Sequence, residues 1–250
     1  MAGKDTKGKI LDSAEQLFAE MGFHGVSLRM VAEAAGVSIS LVQYHFATKE
    51  QLYESVFERR IVTINHDRLR KLDQVEVESR RLKQRVDLEG VLEAFVSPTV
   101  LLARDKEAGG AVYAQLLAQL TNDPQPHARK VSRKYTDPIA RQTMRVLHEA
   151  LPDMDDSVLP WCYVFAVGAM IASISTTGRV GLLSEGKCDP DDVQKIVALL
   201  VPFLAGGFER VAELTDHAGR SKDEPAQVLN SRGKSPVTGG RKGARGQDKR

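Results

Sequence analysis

The sequence predicts an all-α protein in which a small N-terminal helical body precedes a larger one. Three observations carry this. Apolar residues recur at three- and four-residue spacing from about residue 6 to residue 214. No stretch keeps the alternation of a strand or carries a hairpin signal. Ser, Thr and Gly fall where helices must start and stop. The composition agrees: 250 residues, 42% hydrophobic and 27% charged, suit a folded core and exclude wholesale disorder.

Ile10, Ala14, Leu17, Phe18 and Met21 place a first helix over 6–21. Gly22 fits its C-terminal position, where a left-handed backbone suits glycine. Ser27 caps a second helix containing Met30, Val31, Ala34 and Ala35, and Gly36 ends it. Ser38 starts a short third helix to about His45. Thr48 and Gln51 have the spacing of a capping box and open a fourth, with Leu52, Val56, Phe57, Ile61 and Ile64 on its apolar face. From Arg68 to Asp87 the pattern is charged and ambiguous. Helical patterns return at about 88–104, 109–121, 127–150, 156–178 and 190–214, and Pro98 should bend or interrupt the first of these. The run from Ser157 to Gly178 carries no charge, which raises a membrane span. Pro160, Ser173, Ser175, Thr176 and Thr177 shorten its apolar part, so a central helix packed on both sides fits better.

The second and third helices carry the functional signal. Two short helices joined by a glycine turn form a helix-turn-helix. Ala32 is small enough for a close crossing, Gly36 accepts a positive φ, and Val37 and Val42 face the small core. Ser38, Ile39, Ser40, Leu41, Gln43, Tyr44 and His45 are left to project outward. In this geometry the second helix enters the major groove, its first residues meeting base edges. Lys49, at the capped start of the next helix, suits a phosphate. At ILDSAEQLFAEMGF, SLRMVAEAAG, GVSISLVQYHF and TKEQLY the chain resembles the TetR family of bacterial transcriptional regulators. The resemblance runs from about Lys9 to Phe57. It implies contacts with double-stranded operator DNA from Ser27, Arg29, Ser38, Ser40, Leu41, Gln43, Tyr44, His45 and Lys49. Gln43 stands where many relatives carry Tyr. Glutamine can bond adenine through both amide atoms, so the operator is not carried over.

The family also implies a divergent second domain that dimerises and encloses a small-molecule pocket. The expected divisions are a DNA-binding domain over 1–50, a regulatory and dimerisation domain over 51–216 and a tail over 217–250. Apolar side chains supply the expected pocket: Phe95, Leu102, Tyr113, Leu117, Met144, Phe165 and Met170. For each aromatic among them a core role is the favoured reading, since apolar faces at helical spacing build cores first. Arg141 is the candidate partner for an anionic head, or a solvated surface arginine. VFERRIVTINHDRLRKLD and PWCYVFAVGAM resemble the fatty-acid-responsive PsrA-type regulators and hint at an acyl or other apolar effector. The last two long helices are expected to pair between subunits as four helices, through Gly168 and Ala172 on one and Val197, Val201, Leu204 and Phe208 on the other.

The whole is read as a homodimeric regulator, usually a repressor, released from its operator by a small molecule. The same module could activate transcription or work without a ligand. An enzyme reading rests on GLLSEGKC at 181–188, which nearly matches a phosphate-binding loop. Cys188 cannot supply the magnesium-binding hydroxyl and a helix precedes it, so a connecting loop is expected. No catalytic set, cofactor or metal site is expected, and the lack of a secretory pattern points to the cytoplasm. From His217 onward nine basic residues face three acidic ones, a charge of +6, against −4 for the remainder. Gly, Ser and Pro recur there, so a disordered basic tail is expected, either inert or DNA-binding.

Overall fold

The computed structural model describes residues 2–174 and 178–220. In it α1 (Ala2–Gly25), α2 (Leu28–Ala35), α3 (Ile39–His45) and α4 (Lys49–Leu82) form the N-terminal part and its exit. They are followed by α5 (Leu88–Arg104), α6 (Gly110–Asn122), α7 (Pro126–Val131), a π-helical turn (Ser132–Thr136), α8 (Asp137–Ala150), α9 (Leu159–Ile174), α10 (Arg179–Leu183) and α11 (Val193–Arg220). The helix boundaries follow local chemistry. Gly22 breaks α1 with φ 68° and ψ 174°. Ser27, Ser38 and Thr48 each accept a backbone N–H three residues on, from Met30, Leu41 and Gln51. Gln51 reaches back to the N–H of Ala47, one residue before the cap.

The ambiguous stretch beyond Arg68 is helix: α4 runs unbroken for 34 residues and leaves the small N-terminal body for the large one. Pro98 does not interrupt α5. This helix is buried at nearly every position from Ala94 to Val100 and packs against α4, α6, α8, α9 and α11. Enclosure by five neighbours keeps it helical through the proline. α5, not α9, is therefore the central helix. α9 buries Leu159, Cys162, Ala166, Met170 and Ile174 on one face only, and Trp161, Val164 and Phe165 lie bare on the other. No helix among the described residues is long and apolar enough to cross a membrane. The stretch expected as a loop at 181–188 begins inside α10 and ends in a tight turn, where Glu185 and Gly186 have positive φ. The expected disordered tail begins within α11, which extends to Arg220; its residues 221–250 lie outside those described.

The two bodies share a seam. Buried Glu15 of α1 pairs with Arg59 and Arg60 of α4. Gln115 and Gln119 of α6 both donate to the carbonyl of Ala19, each at 2.7 Å. At the start of α7, His127 stacks on Phe23 at 3.7 Å between ring centres.

Candidate functional site

The N-terminal body packs Ile10, Ala14, Phe18, Val31, Ala32, Val42 and Phe46 into one small core. Gly36 ends α2 at φ 65° and ψ 35°, the left-handed turn that sets α3 across α2. Val42 is fully buried and Val37 packs beside it, as the helix-turn-helix requires. The outward face of α3 carries Ile39, Ser40, Gln43 and Tyr44, the last 82% exposed. Ser27 and Ser38 sit exposed at the two helix starts; their oxygens are engaged as caps, and each hydroxyl hydrogen stays free to donate. Arg29 is exposed and holds Glu33 at 3.2 Å.

Three expected contacts are placed differently. Leu41 and His45 are half-buried on the flank of α3. Lys49 points inward: its ammonium donates to the carbonyls of Phe23 and Val26, both at 3.0 Å, and lies 4.3 Å from the Phe23 ring centre. The end of α1 leaves carbonyls without helical partners, and a cation satisfies them there better than water does. Lys49 thus ties the end of α1 to the start of α4.

A cavity of about 230 Å³ lies in the larger body between α4, α5, α6, α8 and α9. Of the residues expected there, Phe95, Tyr113, Leu117 and Met170 line it. Four do not. Arg141 is exposed on α8 and Phe165 on the outer face of α9, while Leu102 and Met144 pack against the core away from the cavity. The cation in the wall is Arg68 of α4, 6% exposed. Its Nε donates to the carbonyl of Phe95 at 2.9 Å, and its Nη2 to Thr99 Oγ1 at 2.5 Å. Burial lowers the pKa of this guanidinium, yet arginine keeps its proton in proteins. Nearby, the buried hydroxyl of Tyr113 has no hydrogen-bond partner. Ser132 and Thr136, at the ends of the π-helical turn, complete the wall with Asp137. A signal for Arg68 existed: it stands four residues after Ile64 and four before Leu72, on the buried stripe of α4.

On α9 the bare face continues through Gly168 and Ala172. On α11 the expected residues face the other way. Val201, Leu204 and Phe208 are buried in the chain's own core, and Val197 packs against it. The outward residues of α11 include Leu199, Phe203 and Gly206. Hydrophobicity alone could not separate the two faces, because both are apolar.

A helix-turn-helix head joined to a larger helical body that holds a cavity and one uncovered apolar face defines a two-part regulatory protein. Residues 10–56 match the model of bacterial regulatory proteins of the tetR family, and residues 93–207 that of the tetracyclin repressor-like C-terminal domain. The chain belongs to the tetR family. It is 45% identical over 58 residues to the HTH-type transcriptional regulator RutR of Escherichia coli, covering 23% of this chain and 27% of that one. It is 24% identical over 133 residues to UidR of the same organism, 52% of this chain and 60% of that one. The matches thus span between a quarter and three fifths of these relatives. Among solved structures, the fatty acid degradation regulator FadR from Bacillus halodurans superposes with a TM-score of 0.52 at 18% identity, over 78% of this chain and 94% of that one. HlyIIR, a hemolysin II transcriptional regulator, gives 0.51 at 15% identity over 80% and 98%. At such identities these two share the fold. The matches establish the family and do not reach its PsrA-type subgroup.

Proposed function

We propose that the chain is a homodimeric repressor that binds a specific operator and leaves it when a small molecule enters the cavity. The observation that carries this is the outward face of α3, where Ser40, Gln43 and Tyr44 stand free beside two capped helix starts. The division of labour is a head over about 1–50 and a regulatory body to 220. Two such heads on a two-fold dimer must sit about 34–36 Å apart to reach successive major grooves. A ligand that binds better at another spacing shifts the population and releases DNA. The route is short: α6 lines the cavity with Tyr113 and Leu117 and holds Ala19 of the head through Gln115 and Gln119. The apolar lining supports an effector with an apolar body, and the name of the FadR neighbour points the same way.

Genomic footprinting of the purified protein, followed by a screen for compounds that release it, tests the reading. Protection of a palindromic site, lost on adding an effector, is expected. A protein that protects no site would end it. The basic segment beyond Arg220 is proposed to add sequence-independent affinity by releasing counterions, roughly 0.9 in salt slope for each phosphate engaged. Removing residues 221–250 should flatten the salt dependence on random DNA and leave the melting temperature unchanged. Unchanged binding to random DNA at low salt would leave the segment inert.

A further inference from the structure

The cavity wall is apolar for most of its extent, yet it holds a buried cation that no described carboxylate pairs with, Asp137 of the same wall included. Among the described residues no carboxylate lies within ion-pair distance of Arg68, whose bonds go to the neutral oxygens of Phe95 and Thr99 and, at 3.7 Å, to the sulfur of Met170. Its recorded bonds leave from Nε and Nη2, and among the described residues none leaves from Nη1. A guanidinium taken out of water without a counter-charge is costly to a fold, so its placement asks for an anion that the chain does not supply. The second observation is independent. Tyr113 of α6, 1% exposed, lines the same cavity, and its hydroxyl is an orphan. An unpaired buried donor is uncommon in a native core and marks a place where something else accepts.

We propose that the cavity binds a small amphiphilic monocarboxylate, its carboxylate held by Arg68 Nη1 and the Tyr113 hydroxyl and its apolar body lying among Ile61, Ile64, Leu117 and Met170. This rests on the ligand-responsive reading above and gives its effector a chemical class. Burial holds the Tyr113 phenol above its ordinary pKa, so it stays protonated and donates. Asp137 is half-buried in the same wall, so the carboxylate must be held closer to Arg68 than to it. The volume limits size. About 230 Å³ is roughly the liquid volume of eight waters, enough for a hexyl- or phenyl-sized body and too little for a long acyl chain.

Calorimetry on the full-length protein with octanoate and phenylacetate, against octanol and octylamine, tests this directly. Either carboxylate should bind at least tenfold more tightly than the alcohol or the amine, since a hydrogen bond to a charged group carries that much. Tyr113→Phe removes only an unpartnered hydroxyl, so the free protein should melt as before. Its carboxylate affinity should fall roughly tenfold while octanol binding is unchanged. Arg68→Gln should abolish the preference for the carboxylate over the alcohol. The proposal is overturned if neither carboxylate binds at millimolar concentration, if octanol binds as well as octanoate, or if Tyr113→Phe leaves carboxylate affinity intact. DNA release is scored separately, on the footprinted operator. Carboxylate binding without release would sink the regulatory reading and keep the site. Release by a neutral compound, with no carboxylate bound, would do the reverse.

Discussion

Gly109 and Gly110 are adjacent and are needed for different reasons. Gly109 has φ 68°, and a side chain there would strain the backbone by about 1–2 kcal/mol. Gly110 stands where α6 crosses the end of α5: a Cβ would lie 1.8 Å from the carbonyl oxygen of Leu102. No flexible side chain can yield there, so Gly110→Ala should cost about 3 kcal/mol and lower the melting temperature by roughly 5–10 °C in a thermal scan. A loss under 2 °C would mean that the crossing relaxes. In the head, Gln43 and Lys49 separate cleanly. Gln43→Ala should change which operator bases are preferred, a discrimination of about 1–3 kcal/mol at one or two positions. Equal loss on every sequence would remove Gln43 from base reading. Lys49→Met should lower stability by about 1–2 kcal/mol and leave the salt slope of binding unchanged, because its ammonium is already committed to Phe23 and Val26. A slope smaller by about one unit would return Lys49 to the phosphates. The serine and threonine caps were legible in the sequence because a cap is settled within four residues. The inward turn of Lys49 was not, because its partners lie 23 and 26 residues away.

Among the elements, the rod formed by α7, the π-helical turn and α8 shows what periodicity conceals. Its buried positions His127, Val131, Tyr135, Ile139 and Thr143 recur every four residues. A straight α-helix would rotate such a row by about 40° per step. The wider π turn absorbs the drift, keeps the row against the core and brings Ser132 and Thr136 to the cavity. The start of this rod should also respond to pH. Burial lowers the pKa of His127 below its ordinary 6.5; His24 and Lys49 press the same way, and Asp123 opposes them. The unfolded chain therefore binds this proton more readily than the native one does. Stability should fall as pH drops from about 6.5 through the lowered native value, and be constant above it. Melting scans between pH 5 and 8 should show this loss in the wild type and less of it in His127→Phe. Equal slopes would clear His127. The outward faces of α9 and α11 make a further test. Ala172→Arg and Phe203→Glu should each give folded monomers in sedimentation and abolish tight operator binding. A variant that remains dimeric would move the interface elsewhere. The α9 half of that face was legible from its small residues. The α11 half was not, since both its faces are apolar and only packing chooses between them.

For the molecule as a whole, the all-α class and the order of the long helices could be read from spacing alone, while the cavity could be read only in part: Phe95, Tyr113, Leu117 and Met170 were legible as its lining, and Arg68 was not. Its cation sits in a stretch of α4 whose exposed residues mix apolar Val62 and Leu69 with charged Arg70 and Asp73, so the buried stripe through Ile64, Arg68 and Leu72 does not stand out until α5 packs on it. The same long helix bears on recombination between relatives. A boundary at residue 50 suggests that heads could be exchanged by splicing there. Yet Glu15 is matched by Arg59 and Arg60, Ala19 by Gln115 and Gln119, and Phe23 by His127, all beyond the splice. A chimera joined at residue 50 would bring a foreign first helix to these five partners and strand buried charge wherever they disagree. Exchanged specificity would have to travel as single residues on the face of α3, not as a transplanted head.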